Sequence, residues 1–218
     1  MQGPSVPENL LTFSITTDSV TVSFNQAHNN SGDDSALEYL VVHSTSDNLS
    51  SISDYSSLPA GASAPLGWQS YPSPATVTGL VIDTKYWFNV LVRNEYGFSS
   101  YVSGSATPTD LVPPTVSSTV IAAAQGTPPQ TEITLKFTTG TDNVTDQGAI
   151  EYKVVCSSIK SIDQVDEANS LPSANIVKNW TSHGNTSAVD ITVTASDLSV
   201  NTTYYFNVLA RDSHGNMS

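Results

Sequence analysis

Hydrophobic and polar residues alternate in several short stretches of the chain, and this period of two predicts β-strands with one buried face. Residues 20–24 alternate as Val, Thr, Val, Ser and Phe, and residues 133–137 as Ile, Thr, Leu, Lys and Phe. A second matched pair of apolar stretches follows at 37–43 and 150–156. Turn residues separate the stretches, so the sequence predicts an all-β protein.

One stretch occurs twice with few changes. Residues 84–93 read TKYWFNVLVR, and residues 202–211 read TTYYFNVLAR. Because matched strands precede both copies, the sequence predicts two similar domains, at 1–107 and 115–218. A further strand is predicted after the first copy only, at 98–106. We therefore expect the second domain to lack its last strand and to have an open sheet edge, and the chain to be a fragment of a longer protein.

The residues between the two domains, 108–114, are rich in proline. Proline fixes its own φ angle and favours extended geometry in the residue before it. We expect a stiff, extended linker that holds the domains as a rod.

Each domain also contains a helix-start signal after its second matched stretch. Segments 51–58 and 161–171 begin with a serine that has a hydrogen-bond acceptor three residues later, and a proline follows each segment. This pattern predicts a short inserted helix in each domain. Strands containing Trp68 and Trp180 are predicted to follow the helices.

The repeated strand carries a distinctive spacing of apolar residues. The first copy has Leu80, Thr84, Tyr86, Phe88, Val90 and Val92, and the second has Leu198, Thr202, Tyr204, Phe206, Val208 and Ala210. This spacing resembles that of the fibronectin type III family. The resemblance implies two immunoglobulin-like β-sandwiches in tandem, with Tyr86 and Tyr204 as corner residues at the start of strand F.

The chain departs from the family pattern in three respects. Phe24 and Phe137 stand where the family usually has a tryptophan, the inserted segment is larger than in most members, and the Arg-Gly-Asp triplet is absent. The first two features are similar to those of repeats in bacterial surface and secreted multidomain proteins. The third means that integrin-mediated attachment is not carried over.

The low content of charged residues and the negative net charge limit the kinds of molecule that the protein is expected to bind. Only 12% of residues are charged, yet the formal net charge is −13. An acidic surface repels nucleic acids and anionic lipids, whereas it tolerates cations and neutral polymers. The sequence shows neither a membrane-spanning apolar run nor a signal peptide. Its single cysteine, Cys156, excludes an intramolecular disulfide.

Catalytic motifs are absent from the sequence. It has no nucleophile elbow, phosphate loop or zinc-binding histidine spacing. Asp212, Ser213 and His214 are adjacent, whereas the residues of a catalytic triad converge in space. We expect these three residues to form a solvated turn, Cys156 to be a packed strand residue, and the protein not to be an enzyme.

Two acidic loops are candidates for a metal site. Asp33 and Asp34 lie in one, and Asp142 and Asp146 lie in the other. Asp142 and Asp146, together with Asp212, are candidate calcium ligands, because calcium binds several oxygen atoms. The spacing is not that of an EF-hand. Aspartate is also common in turns, so the turn interpretation stands beside the calcium one. No other cofactor is expected.

Trp87 and Tyr205 lie on the face of strand F opposite to the predicted core. Aromatic rings on such a face can stack on sugars, so both residues are candidate ligand-binding residues. The alternative is that they pack beneath a loop or the inserted helix.

The sequence favours a non-catalytic structural, adhesion or spacer module of a larger protein at the cell surface or outside the cell. Its partners would be other domains of the same polypeptide or another protein. The alternative is a carbohydrate-binding accessory module of a secreted polysaccharide-active enzyme, with a polysaccharide as partner. A cytoplasmic scaffold is a third interpretation.

Overall fold

The computed structural model describes residues 2–8, 10–50, 52, 56–116, 122–125 and 131–218, with only the backbone described for 122–125. The chain divides into two compact units, Met1–Asp110 and Leu111–Ser218. Both are nearly all β, and each is an immunoglobulin-like β-sandwich. No helix among the described residues is long and apolar enough to cross a membrane.

The first unit consists of two antiparallel sheets. Its described strands are, in chain order, β1 (Thr12–Ile15), β2 (Val20–Ser23), β3 (Glu38–Ser44), β4 (Ala62–Ser63), β5 (Gln69–Ser70), β6 (Ala75–Val77), β7 (Tyr86–Asn94), β8 (Gly97–Ser100) and β9 (Gly104–Ala106). One sheet has the order β1-β2-β6. The other has the order β4-β3-β7-β8, with β5 also paired to β3 and β9 to β7. A 3₁₀-helix at Asp34–Ala36 precedes β3.

The second unit repeats this arrangement in part, since its described strands include no counterparts of β8 and β9. Its described elements are β10 (Ala122–Gln125), β11 (Ile133–Thr138), β12 (Glu151–Ser157), helix α1 (Val165–Asn169), β13 (Ile176–Ser182), β14 (Asp190–Ala195) and β15 (Tyr205–Arg211), with 3₁₀-helices at Gln147–Ala149 and Ser173–Asn175. Its sheets have the orders β10-β11-β14 and β13-β12-β15.

Each unit has a second apolar layer outside the sandwich. The inserted segment comprises residues 45–61 in the first unit and 158–175 in the second, and its described residues cover the outer face of the sheet that contains β3 or β12. In the first unit Leu40, Val42 and Leu91 pack there against Leu49 and Ile52. In the second unit Val155 and Leu209 pack there against Ile162 and Ala168. Strands β3 and β12 are therefore buried on both faces, which explains the run of apolar residues at 39–42 of β3 and at 154–155 of β12.

The predicted inserted helix is displaced in the second unit. Helix α1 begins at Val165, with Gln164 at its N-cap position, and not at Ser161. The physical reason is tertiary: Ile162 is buried, and its carbonyl accepts a hydrogen bond from Asn207 of β15, which holds the start of the segment in a non-helical conformation. The start predicted for the first unit, with Ser51 as the cap and Asp54 as the acceptor, lies outside the described residues.

The strand predicted at 98–106 is two strands, β8 and β9, separated by the buried Tyr101. The Tyr101 hydroxyl donates a hydrogen bond of 2.6 Å to the carbonyl of Asn25, and this fixes the break. In the second unit, the backbone of Ser218 pairs with Ala210 of β15 through N···O distances of 2.9 and 3.0 Å.

Candidate functional site

The corner tyrosines make the predicted contacts in both units. The Val81 backbone N–H donates to the Tyr86 hydroxyl at 3.1 Å, and the Ser199 N–H donates to the Tyr204 hydroxyl at 3.0 Å. Tyr86 is buried, whereas Tyr204 is half-buried. The similarity of the repeated strand in the two units is therefore explained by a contact that both folds need, and it does not require a shared active site.

A second matched pair of tyrosines positions the acidic loops. The Tyr39 hydroxyl accepts the Ala27 N–H at 3.0 Å, and the Tyr152 hydroxyl accepts the Gly140 N–H at 2.7 Å. Burial raises the pKa of both phenols. Sequence reasoning did not find these contacts, although the matched Glu-Tyr pair that begins β3 and β12 was their signal.

The acidic loop of the second unit brings two of the three candidate calcium ligands together. Carboxylate oxygens of Asp142 and Asp212 lie within 4.8 Å of each other. One oxygen of Asp142 accepts the backbone N–H groups of Val144 and Thr145 at 2.9 and 2.8 Å. Its other oxygen is buried and has no hydrogen-bond partner. Asp146 is exposed at the N-cap of a 3₁₀-helix and is not brought to this pair.

The first unit has uncharged residues at the positions that correspond to Asp142 and Asp212. Asn29 and Asn94 occupy them, and the Asn94 amide donates to the Asn29 side-chain oxygen at 3.0 Å. A hydrogen-bonded amide pair in one unit is thus a pair of facing carboxylates in the other. Two carboxylates on neighbouring loops have the chemistry to hold a divalent cation, whose charge would offset their repulsion.

The two aspartates of the acidic loop in the first unit make hydrogen bonds within that loop. Asp34 accepts the Asn29 backbone N–H at 2.6 Å and contacts the His28 ring at 3.1 Å, and these two contacts lower its carboxyl pKa. The Asp33 side chain caps the 3₁₀-helix by accepting the Ser35 N–H.

The adjacent Asp212, Ser213 and His214 form a turn. The Asp212 carboxylate accepts the backbone N–H groups of His214 and Asn216 at 2.8 and 2.9 Å. The Ser213 hydroxyl contacts Thr145 at 2.9 Å. The three residues thus lie in a turn, but Asp212 is buried and its carboxylate organises the backbone there, whereas the sequence predicts that all three are solvated.

The two candidate sugar-binding rings lie against the inserted segments. Trp87 is half-buried on the second apolar cluster of its unit, and the Lys85 ammonium lies 4.8 Å from its ring centre. Tyr205 is half-buried on the equivalent cluster of the second unit. Both rings therefore occupy the place that the packing alternative assigns to them.

The other two tryptophans are covered by arginines in a matched way. The Arg93 guanidinium lies 4.1 Å from the Trp68 ring centre, and the Arg211 guanidinium lies 4.5 Å from that of Trp180. These arginines pair with the glutamates that begin β3 and β12, with Nε···Oε2 distances of 2.8 Å in both units. The sequence analysis did not connect these residues, since they are far apart along the chain. Cation–π contacts on these rings stabilise the sheet edge.

Comparison with known proteins shows similarity both in sequence and in structure. No family model matches the chain. The chain is 27% identical over 222 residues to chitinase A1 of Niallia circulans, and the match covers 99% of this chain but 24% of the chitinase. The solved FN1–FN3 domains of chicken CNTN1 cover 97% of this chain and 64% of their own, with 13% identity and a TM-score of 0.34. Nearly the whole chain is thus similar to a minor part of a chitinase.

Proposed function

We propose that the two units are non-catalytic accessory domains of a secreted, polysaccharide-active enzyme, and that they contact its polysaccharide. The similarity to chitinase A1 carries this proposal, because it extends over 99% of the chain and leaves most of the chitinase unmatched. A location outside the cell is part of the proposal, and the same comparison supports it.

Two properties of the chain support this role. The residues that resembled part of a catalytic triad are used to build a turn. The surface combines a net charge of −13 with a low content of charged residues, and so offers mainly hydroxyl and amide groups. Such a surface suits a neutral polymer better than an anionic one.

A spacer or adhesion role in a surface protein is the second candidate. The positions of Trp87 and Tyr205 favour it, because both rings are half-buried beside the inserted segments and Lys85 covers one of them. A spacer needs no ligand-binding surface, whereas an accessory domain that contacts polysaccharide does.

Co-sedimentation of the chain with insoluble polysaccharide separates the two roles. We expect residues 1–218 to sediment with powdered chitin, and to do so less with an anionic polysaccharide gel of the same surface area. A chain that stays in the supernatant with chitin and with cellulose would favour the spacer role. Trp87→Ala and Tyr205→Ala show whether the rings contribute, provided that thermal unfolding of each variant is measured in parallel.

A further inference from the structure

The second unit contains a pocket that is separate from both the paired carboxylates and the candidate aromatic rings. It opens between the two sheets beside Tyr204 and has a volume of about 420 Å³. Its walls come from residues 156–158, 174–177 and 194–198. This volume lies within the range of roughly 300–1,000 Å³ that is usual for small-molecule sites.

The pocket exists because smaller side chains replace larger ones of the first unit. His43 of β3 corresponds to Cys156 of β12, and the His43 ring packs edge-on against Tyr86 with ring centres 5.6 Å apart. Val77, which is fully buried at the end of β6, corresponds to Ala195 at the end of β14. The second unit thus lacks an imidazole ring and a branched side chain where the first unit has them.

Hydrogen bonds hold the pocket walls in place. The Asn175 amide donates to the Cys156 carbonyl at 2.7 Å, joining two walls. The third wall is fixed by the Leu198 N–H, which donates to the Thr131 carbonyl at 2.9 Å, and by the bond between Ser199 and Tyr204. A preformed pocket loses little conformational entropy on binding, which favours affinity for a small ligand.

The chemistry of the lining selects a neutral, hydroxylated ligand. Hydroxyl and amide groups dominate it, from Ser157, Ser158, Thr194, Ser196 and Asn175. Asp197 is the only charged residue of the lining, which includes no lysine, arginine or histidine among the described residues, so anions are disfavoured. Ile176 and Leu198 add an apolar surface. Sugars present this combination of hydroxyl edges and an apolar ring face.

We propose that this pocket binds one or two units of a neutral sugar, with the hydroxyl and amide groups contacting the sugar edge and the apolar side chains contacting its ring face. The ligand could be the end of a polysaccharide chain or a free oligosaccharide, since both present the same groups. This inference rests on the proposed function and assigns it a specific site in the second unit.

Titration of the ¹⁵N-labelled chain with N,N′-diacetylchitobiose, and separately with cellobiose, tests the site. We expect changes of backbone amide chemical shifts that are confined to the three wall segments. Tighter binding of diacetylchitobiose than of cellobiose would show that the pocket recognises the acetamido group. The variant Cys156→His with Ala195→Val fills the pocket with the residues of the first unit, and we expect it to lower affinity at least about tenfold. Val81→Ser, an exposed change in the first unit, is the control and should leave affinity unchanged.

Cys156 provides a second measurement on the unmodified chain, because it is the only cysteine. We expect a bound disaccharide to protect its thiol from alkylation by iodoacetamide, followed by mass spectrometry. This measurement decides the question even if the filled variant does not fold. Disaccharides that neither shift the wall residues nor slow alkylation would overturn the inference.

Sedimentation with an insoluble polysaccharide separates this inference from the proposed function. If the filled variant sediments as well as the original chain, the accessory role stands, but the pocket does not bind the insoluble polysaccharide. Disaccharide titration then reports on free oligosaccharides alone. If the original chain neither sediments nor responds to disaccharides, both proposals are wrong.

Discussion

Asp142 and Asp212 face each other with carboxylate oxygens within 4.8 Å, at the positions where the first unit has the hydrogen-bonded amides Asn29 and Asn94. The same loop contact is therefore attractive in the first unit and repulsive in the second. The amide pair of the first unit needs no ion, whereas a bound cation would offset the repulsion between the two carboxylates of the second.

The variant Asp142→Asn tests the expectation of calcium, because it replaces a carboxylate oxygen that has no hydrogen-bond partner and leaves the contacts of Asp212 in place. In chelator, we expect it to stabilise the second unit by about 1 kcal/mol, because it removes a like-charge contact near the surface. Added calcium should raise the melting temperature of the original chain and have little effect on the variant. Scanning calorimetry and titration calorimetry measure both effects. A melting temperature that calcium and chelator leave unchanged would remove calcium from this site.

The corner tyrosines should differ in their contribution to stability. Tyr86→Phe leaves the Val81 N–H without its partner beside a buried ring, and we expect a loss of about 1–2 kcal/mol. Tyr204→Phe should cost less than about 1 kcal/mol, because the contact with Ser199 is exposed and water can replace the lost hydroxyl. Urea unfolding of both variants measures the difference. Equal losses would show that burial does not set the cost of this contact.

Strand patterns and corner contacts could be predicted from the sequence, whereas the helix start and the site geometry could not. The period of two at 20–24 reports burial of a single strand, and the Tyr86 spacing reports a contact five residues away. Contacts such as that between Arg93 and Trp68 join distant segments and depend on tertiary geometry. For the same reason, nothing in the spacing showed that Asp212 would meet Asp142 and not Asp146.

An asparagine of the repeated strand holds the inserted segment in each unit, and it is buried in the first unit and half-buried in the second. The Asn89 amide donates to the Leu49 carbonyl at 2.6 Å, and the Asn207 amide donates to the Ile162 carbonyl at 2.7 Å. We expect Asn89→Ala to destabilise the first unit by about 1–3 kcal/mol, because a buried carbonyl loses its donor. Asn207→Ala should cost less, since Asn207 is half-buried. Hydrogen exchange should rise first in the inserted segments, and uniform exchange across each unit would contradict this local role.

His43 should make the stability of the first unit depend on pH. Burial lowers the pKa of its imidazole from the ordinary value of 6.5, so the unfolded chain binds the proton more readily than the folded one. Stability from this residue is therefore complete above about pH 6.5 and is lost as the pH falls toward the lower, folded pKa. His43→Cys, which copies the second unit, should flatten this dependence between about pH 7 and 5. Melting curves with the same slope in both chains would contradict the assignment.

Lys153 is a buried lysine that replaces Leu40 of the first unit. Its ammonium donates to the Asn169 backbone carbonyl at 2.7 Å, at the end of helix α1. We expect Lys153→Leu to change the stability of the second unit by less than about 1 kcal/mol, because apolar burial offsets the lost bond. Protection of 165–170 from hydrogen exchange should fall, and unchanged protection would show that the lysine does not hold the helix end.

The inserted segment also determines whether a shorter version of either unit could be designed. Deleting residues 45–61 would expose Leu40, Val42 and Leu91 to solvent on the outer face of the sheet. A contiguous apolar face of this kind promotes self-association. A shortened, two-layer version of the domain would therefore require polar residues at these three strand positions to prevent self-association.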